Sequence, residues 1–338
     1  MIRNDELRIP FVTMQELLKG KLTGRGFAEN DASLSARLFT ESSCDGVYSH
    51  GLNRFPAYIR NVDRGYIKAD EKPKRMLHHG VLEQWNGQLG PGNLNAWFCM
   101  ERAMEIAREN GVGCVALRQT NHWLRGGTYG WQAADNGCIA MLWSNTTGNM
   151  VPWGGIDPTI GNNPFILAVP RASGHVVLDF AQTLYSYGKM SQYLKHGELL
   201  PYMCGYDSDG NLTNDPESIV NSMRALPAGL WKSSGLAIML DLIAVILSGG
   251  KSTMEINRQD YETGLSQVFI AIAPHSGIYG ETRETLVDRI ITNLQETTPA
   301  GNQEKVRYPG ERTLKIREEN RKKGIPVDPE IWKQVQEL

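Results

Sequence analysis

Apolar positions along the chain change period several times, and each change marks an element. In residues 93–110, Leu94, Trp97, Phe98, Met104 and Ala107 recur at helical spacing, and the run stops at Gly111. Short apolar runs then follow: CVALR (114–118), IAMLWSN (139–145), FILAVP (165–170), HVVLDF (175–180) and SQVFIAIA (266–273). Gly, Pro and Asn separate them, so they read as buried strands. Residues 235–247 are apolar on most faces, which predicts a central helix, and 284–296 predicts an amphipathic one. Upstream, Thr13-Met14-Gln15-Glu16 has the spacing of a capping box, and a second helix is expected after Asn30 or Asp31. At the other end, Asp328-Pro329 predicts a cap with proline in the first turn of EIWKQVQEL.

Strands often succeed one another without an intervening helix, which predicts an α/β chain with a mixed, largely antiparallel sheet rather than a doubly wound parallel one. Gly65 and ADEKPKR (69–75) mark a boundary. The expected division is a helical domain of residues 1–70 plus 311–338 and a mixed α/β domain of residues 71–310. Neither an internal repeat nor a low-complexity segment is evident.

Composition adds limits to this. Of 338 residues, 41% are hydrophobic and 21% charged, the balance of a soluble globular protein. A formal net charge of −2 offers no positive excess for nucleic acid or a membrane surface. The REENRKK run (317–323) reads as a solvated helix face. Five scattered cysteines, Cys44, Cys99, Cys114, Cys138 and Cys204, include no C-x-x-C pair, so neither a disulfide framework nor a metal site is expected. The first fourteen residues lack a signal-peptide core, and the apolar run 236–247, broken by Asp241, is short for a bilayer. A reducing cytoplasm is the expected compartment.

The GQLGPGNLNA stretch (87–96) imitates a dinucleotide fingerprint, but Asn95 replaces the third glycine and no acidic residue follows at the right distance. The preceding LEQWNGQ reads as a poor strand, so a turn into a helix is the better reading. No P-loop, H-E-x-x-H or G-x-S-x-G is present. What remains is YSHGLNR (48–54), TNHW (120–123) and LDF followed by AQT (178–183). His78, His79, His196 and His275 have no comparable context and read as structural. His50 differs: Gly51 permits close approach of a ligand or a backbone, and Arg54 follows four residues on. On a helix the two would share a face, and their repulsion would hold His50 neutral until an anion arrived. Arg54 then anchors a carboxylate while His50 gives a proton to a neighbouring oxygen; the alternative is an ordinary surface helix.

Together SHGLNRFPAYI, GVGCVALRQTNHWLRGGTYGWQAA, VPWGG with IGNNPF, VVLDFA, LPAGLWKSSGLAIMLDLIAVILSGG and VRYPGE resemble the type-2 malate/L-lactate dehydrogenase family, over essentially the whole chain. That resemblance implies a non-Rossmann NAD(P)-binding fold, with residues 71–310 as the cofactor-binding domain. It implies hydride transfer between a nicotinamide and the C2 carbonyl of a sugar-acid or other 2-keto acid. His50 falls on the family's catalytic acid, and Arg54 where the substrate carboxylate binds. Asp179 falls on an active-site acid, which either holds or charges His50 or binds a cofactor hydroxyl or a backbone N–H. Asn121 and His122 are expected to line the substrate pocket. Cofactor contacts map to His175, Val176, Val177, Leu178, Asp179, Phe180 and Ala181, to Trp231 and Lys232, and to Gly310, Glu311 and Arg312. Lys232 would face a phosphate, and Trp231 would pack on a ring or in the core. NADH is the expected cofactor, with NADPH admitted, and a homodimer the expected assembly, with which Trp97 and Phe98 are compatible. Asn162, Ser233, Phe180 and the P-G-E ending depart from the family pattern near the pocket. Malate, L-lactate, ureidoglycolate, sulfolactate or cyclic imino acid chemistry is the alternative within the family, and a catalytically silent binding protein the alternative outside it.

Overall fold

A computed structural model describes residues 7–274, 282–301 and 303–338. His275 lies outside them. The N-terminal helices are α1 (Phe11–Thr23), α2 (Glu29–Cys44) and α3 (Phe55–Asp63). Helix α1 begins earlier than the Thr13 box predicts: Ile9 pairs with Ile325 in a short antiparallel ladder, and Pro10 leaves that ladder directly into the helix without a side-chain cap. Met14, Leu18, Phe39, Phe55 and Ile59 pack with Ile325, Val327, Trp332 and Val335, so the two ends of the chain share one apolar cluster.

The centre is a seven-stranded sheet, its strands numbered in chain order. They are β1 (Lys74–His79), β2 (Leu82–Asn86), β3 (Val112–Thr120), β4 (Ile139–Ser144), β5 (Phe165–Val169), β6 (Val176–Phe180) and β7 (Leu265–Ile272). The spatial order is β1-β2-β3-β7-β4-β5-β6, and every pairing but β2 with β3 is antiparallel. The sheet is therefore mixed and mostly antiparallel, as the strand spacing implied. LEQWN is a strand after all. It reads as polar because of Glu83, which is fully buried and bound by Arg102, Arg75 and the Trp85 indole N–H. The GQLGPGN turn does lead into a helix, α4 (Gly92–Asn110), which ends at Gly111. Helix α5 (Gly127–Asp135) joins α4 on the same sheet face, where Met100, Met104, Trp123, Tyr129, Leu142 and Phe269 form the main core.

A small lobe carries α6 (Tyr187–His196) and α7 (Pro216–Ser222) around Met190, Leu200, Cys204 and Ile219. Helix α8 (Trp231–Ser248) covers the opposite sheet face, held by the Trp143 indole donating to Leu240 O and by Asn163 donating to Ala237 O. By length and composition it could cross a membrane. It is not central as its composition suggested: Ile238, Met239, Leu242 and Ile246 are exposed, because only one stripe meets the sheet. Helix α9 (Thr253–Ile256) carries a Ser252–Glu255 capping box, and α10 (Arg283–Gln295), α11 (Glu311–Lys323) and α12 (Pro329–Glu337) follow. Asp328 caps α12 and Pro329 opens it, as read from the sequence. Trp97 and Phe98 are engaged within the chain, under Arg37 and against Trp85. The cysteines are free thiols.

Candidate active site

The YSHGLNR stretch folds as two single 3₁₀ turns, Tyr48–His50 and Leu52–Arg54, rather than as one α-helix. Gly51 separates them, and a Cβ there would lie 2.1 Å from Ser43 Oγ and 2.7 Å from Ser43 N. The close approach that Gly51 permits is therefore that of α2, whose Ser43 hydroxyl accepts the Leu52 N–H at 2.8 Å. The four-residue helical offset does not apply, yet the Arg54 charge acts on both His50 and His122, so the three groups lie near one another. The remaining histidines are elsewhere: His78 and His79 on exposed β1, His196 at the end of α6.

The His50 and His122 rings stack, with centroids 5.9 Å apart and planes 27° apart. His50 Nδ1 lies 2.9 Å from Ser49 Oγ. His122 Nδ1 accepts the Leu124 N–H at 3.0 Å, so that nitrogen is unprotonated and the neutral ring carries its proton on Nε2. Leu124 takes a left-handed conformation (φ 67°) to make this bond. Burial pushes His50 down to about 4, with Arg54 and Arg125 adding to the fall and Asp179 opposing it. His122 is held well below the usual histidine range by burial, then by Arg54 and His50. Both imidazoles are thus neutral at pH 7.

Asn121 does not present itself to a ligand. It is 2% exposed, its Nδ2 donates to Tyr66 O, Leu89 O and Gly90 O, and its Oδ1 accepts from Thr263 Oγ1. The expectation that it lines the pocket gives way to a positioning role: it ties down the turn that carries His122.

Asp179 projects from β6 toward the first turn of α5, where its Oδ2 accepts the Gly127 N–H at 2.8 Å. Glycine is required there, since a Cβ on Gly127 would come within 2.6 Å of that oxygen. Of the two readings of Asp179, acceptance of a backbone N–H is the one its hydrogen bond matches. His50 feels it only as a charge.

Arg125, overlooked in the sequence, stands 3.9 Å from Asp179 and is 6% exposed. It pairs with Asp45, which also takes Arg317 Nε at 2.6 Å and Nη2 at 2.7 Å. Burial alone would raise Asp45, but Arg317 and Arg125 hold it below the usual carboxylate range. Arg317 therefore leaves the solvated face expected for REENRKK; it turns inward over the Trp131 ring, 4.4 Å to the centroid. A cavity of about 140 Å³ lies behind this network, lined by Arg125, Asp45, Trp131 and Gln132 and separate from the imidazoles. The R-G-G that follows His122 was the available sequence signal for Arg125.

The remaining sequence candidates gather along β6, whose outer edge is unpaired by any strand among the described residues. Both ring nitrogens of His175 are engaged: its Nδ1 accepts the Arg171 N–H and its Nε2 donates to Asp135 at 2.9 Å. Val177 is buried and donates its N–H to Pro309 O, which brings Gly310, at the start of α11, against the strand; Leu178 is exposed, and Phe180 packs on Phe165. Beyond Ala181, Gln182 O accepts the Ala228 N–H, so the turn before α8 adjoins the strand's far end. Ser233 Oγ accepts the Gly229 N–H and closes that turn. Trp231 is 63% exposed rather than in the core, and Lys232 lies beside it. Glu311 accepts from Gln295 and Lys305 through Oε1, while its buried Oε2 has no partner among the described residues. Arg312 lies beside it in the first turn of α11.

The model of the malate/L-lactate dehydrogenase family matches residues 9–336. The 2,3-diketo-L-gulonate reductase of Citrobacter koseri is 41% identical over 333 residues, 98% of this chain and 100% of that one. The 2,3-diketo-L-gulonate reductase of Salmonella paratyphi A is 42% identical over 332 residues, covering 97% and 99%. The structure of a malate dehydrogenase from Pyrococcus horikoshii superposes with a TM-score of 0.90 at 25% identity, covering 100% and 96%. Fold and relatives together define an oxidoreductase acting on a CH–OH or keto group. The chain belongs to the malate/L-lactate dehydrogenase family.

Proposed function

We propose that the chain reduces the C2 keto group of 2,3-diketo-L-gulonate to 3-dehydro-L-gulonate with NAD(P)H, NADH being preferred. His50 gives the proton and Arg54 holds the carboxylate. The observation that carries this reading is a cluster of side chains: two neutral imidazoles stacked near an arginine with no ion pair among the described residues. The full-length likeness to proteins named 2,3-diketo-L-gulonate reductase supports the substrate.

A nicotinamide held by the residues along β6 would supply the hydride for C2. Arg54 donates charge-assisted hydrogen bonds to the substrate carboxylate, which orients the ketone. That anion offsets the cation depressing His50, so proton uptake accompanies binding. His50 then protonates the oxygen as its negative charge grows, help worth ~10²–10⁴ in rate. His122, a fixed neutral N–H donor, hydrogen-bonds the same oxygen without competing for the proton. Asp179 and Arg125 set the field around His50.

The cofactor would be held along β6 by His175, Val176, Val177, Leu178, Asp179, Phe180 and Ala181, with Trp231, Lys232, Gly310, Glu311 and Arg312 around them. Three features support this placement: a strand edge that no other strand covers, and, among the described residues, the buried Gln182 amide with neither polar atom satisfied and the Glu311 Oε2 without a partner. Residues 1–70 with 311–338 form a helical domain in this reading, and 71–310 the cofactor domain. The exposed apolar stripe of α8 is the contact of a homodimer, and the free thiols suit a cytoplasmic enzyme.

A panel of 2,3-diketo-L-gulonate, oxaloacetate, pyruvate, sulfopyruvate and a cyclic imino acid, assayed by loss of NADH or NADPH absorbance, tests the reading. The highest kcat/KM belongs to 2,3-diketo-L-gulonate with NADH; a higher value for any other acid overturns the substrate.

A further inference from the structure

Fastened to the turn before His122 and to the helix that Arg54 begins is a segment that the proposed reaction does not use. Three consecutive residues, Tyr261, Glu262 and Thr263, are each tied to a different part of the site. The Tyr261 hydroxyl accepts from Asn61, on the helix that Arg54 begins, and its ring stacks on Tyr66 at 4.6 Å. Thr263 donates to Asn121 at 2.9 Å, one residue before His122. Glu262, between them, accepts the Thr147 N–H through Oε2 at 3.0 Å. Asn257 in turn pins that loop, accepting from Thr147 Oγ1 at 2.8 Å and the Gly148 N–H at 2.6 Å. The carboxylate is thus fixed between the arginine side and the histidine side of the site. Its Oε1 has no hydrogen bond among the described residues, and no ion pair joins it to Arg54, although the Arg54 charge reaches it.

Burial raises the pKa of Glu262, while the Thr147 N–H and the Arg54 charge oppose that rise; in its ionised form, a carboxylate anchored at one oxygen and free at the other is an acceptor only. It matches hydroxyl groups, which donate to it. It repels a second carboxylate or a sulfonate, and a methyl group leaves it unpaired. We propose that Glu262 is a specificity residue that accepts hydrogen bonds from the hydroxylated tail of the substrate, selecting polyhydroxy 2-keto acids over dicarboxylic and sulfonated ones. This rests on the reading that Arg54 and His50 hold the keto-acid head.

The test compares wild type, E262Q and E262A on 2,3-diketo-L-gulonate, oxaloacetate and pyruvate, with circular dichroism and cofactor binding as checks of folding. Glutamine keeps an oxygen for the Thr147 N–H, so E262Q guards against loss of the loop. In E262A the kcat/KM ratio of the sugar acid to pyruvate falls roughly ten- to hundred-fold, chiefly through KM, and in E262Q by less. In both variants the ratio of oxaloacetate to pyruvate rises. Unchanged ratios in both variants would overturn the role of Glu262 while leaving the wild-type preference, and so the proposed substrate, intact. A wild type that does not prefer the sugar acid would overturn the substrate reading and this inference with it.

Discussion

Replacing Arg54 with methionine removes the one cation assigned to the substrate carboxylate and leaves most of the side-chain volume in place. The backbone of Arg54 begins α3 and is undisturbed, and its side chain has no ion pair among the described residues, so the fold has little to lose. A hydrogen bond to a charged partner is worth about 1.5–3 kcal/mol, which predicts a rise in KM for a keto acid of roughly ten- to more than a hundred-fold. Arg54→Lys keeps the charge but not the two-pronged grip and should fall between. The same substitution acts on His50. Arg54 is one of two cations depressing that imidazole, so its loss lifts His50 from about 4, while burial and Arg125 still hold it below the ordinary value. Oxidation of the hydroxy acid requires neutral His50, so the acid limb of its kcat/KM profile should move to higher pH. The assay is cofactor absorbance with the keto acid and with its carboxamide. If acid and amide suffer equally, or the acid limb stays in place, Arg54 is not the carboxylate anchor.

Three further outcomes follow from other parts of the structure. In the wild type, kcat/KM for oxidation should rise with pH through about 4 and level off well before neutrality, while reduction declines as pH rises above that value; an inflection near the unperturbed histidine value would contradict the buried, arginine-flanked setting. Asp45→Ala leaves Arg317 without its paired carboxylate and Arg125 with only the 3.9 Å contact to Asp179, which should cost about 3–5 kcal/mol in denaturant unfolding. Because Asp45 is held below its unfolded value, the stability it provides is present above the unfolded carboxylate pKa and lost as pH falls through the folded one; a loss within the ~0.5 kcal/mol typical of surface changes would remove Asp45 from the core network. Ile246→Arg, at the most exposed point of the α8 stripe, should yield monomers in sedimentation velocity; an unchanged dimer would move the interface elsewhere.

Local chemistry made much of the fold legible. The runs CVALR, IAMLWS, FILAV and VVLDF are strands because their apolar side chains have no helical period to follow, and Gly111 and Asp328-Pro329 bound helices as their backbone preferences require. LEQWN escaped because Glu83, a charge inside a strand, is neutralised by arginines that only the fold brings near. Helix α8 differs from the expectation because its composition does not reveal that only one stripe of it meets the sheet. The same distinction governs the site. His50, Arg54 and His122 stand in short polar motifs that periodicity cannot explain. Arg125 is set by a partner 80 residues away and Glu262 by one 115 residues away, contacts that no local pattern encodes.

Single-turnover reduction by His50→Ala, beside wild type and with cofactor affinity measured on the same preparation, is the most direct test of proton donation from that imidazole. The rate should fall by ~10²–10⁴ with cofactor binding little changed. A rate near that of the wild type would mean that the ketone oxygen receives its proton from elsewhere.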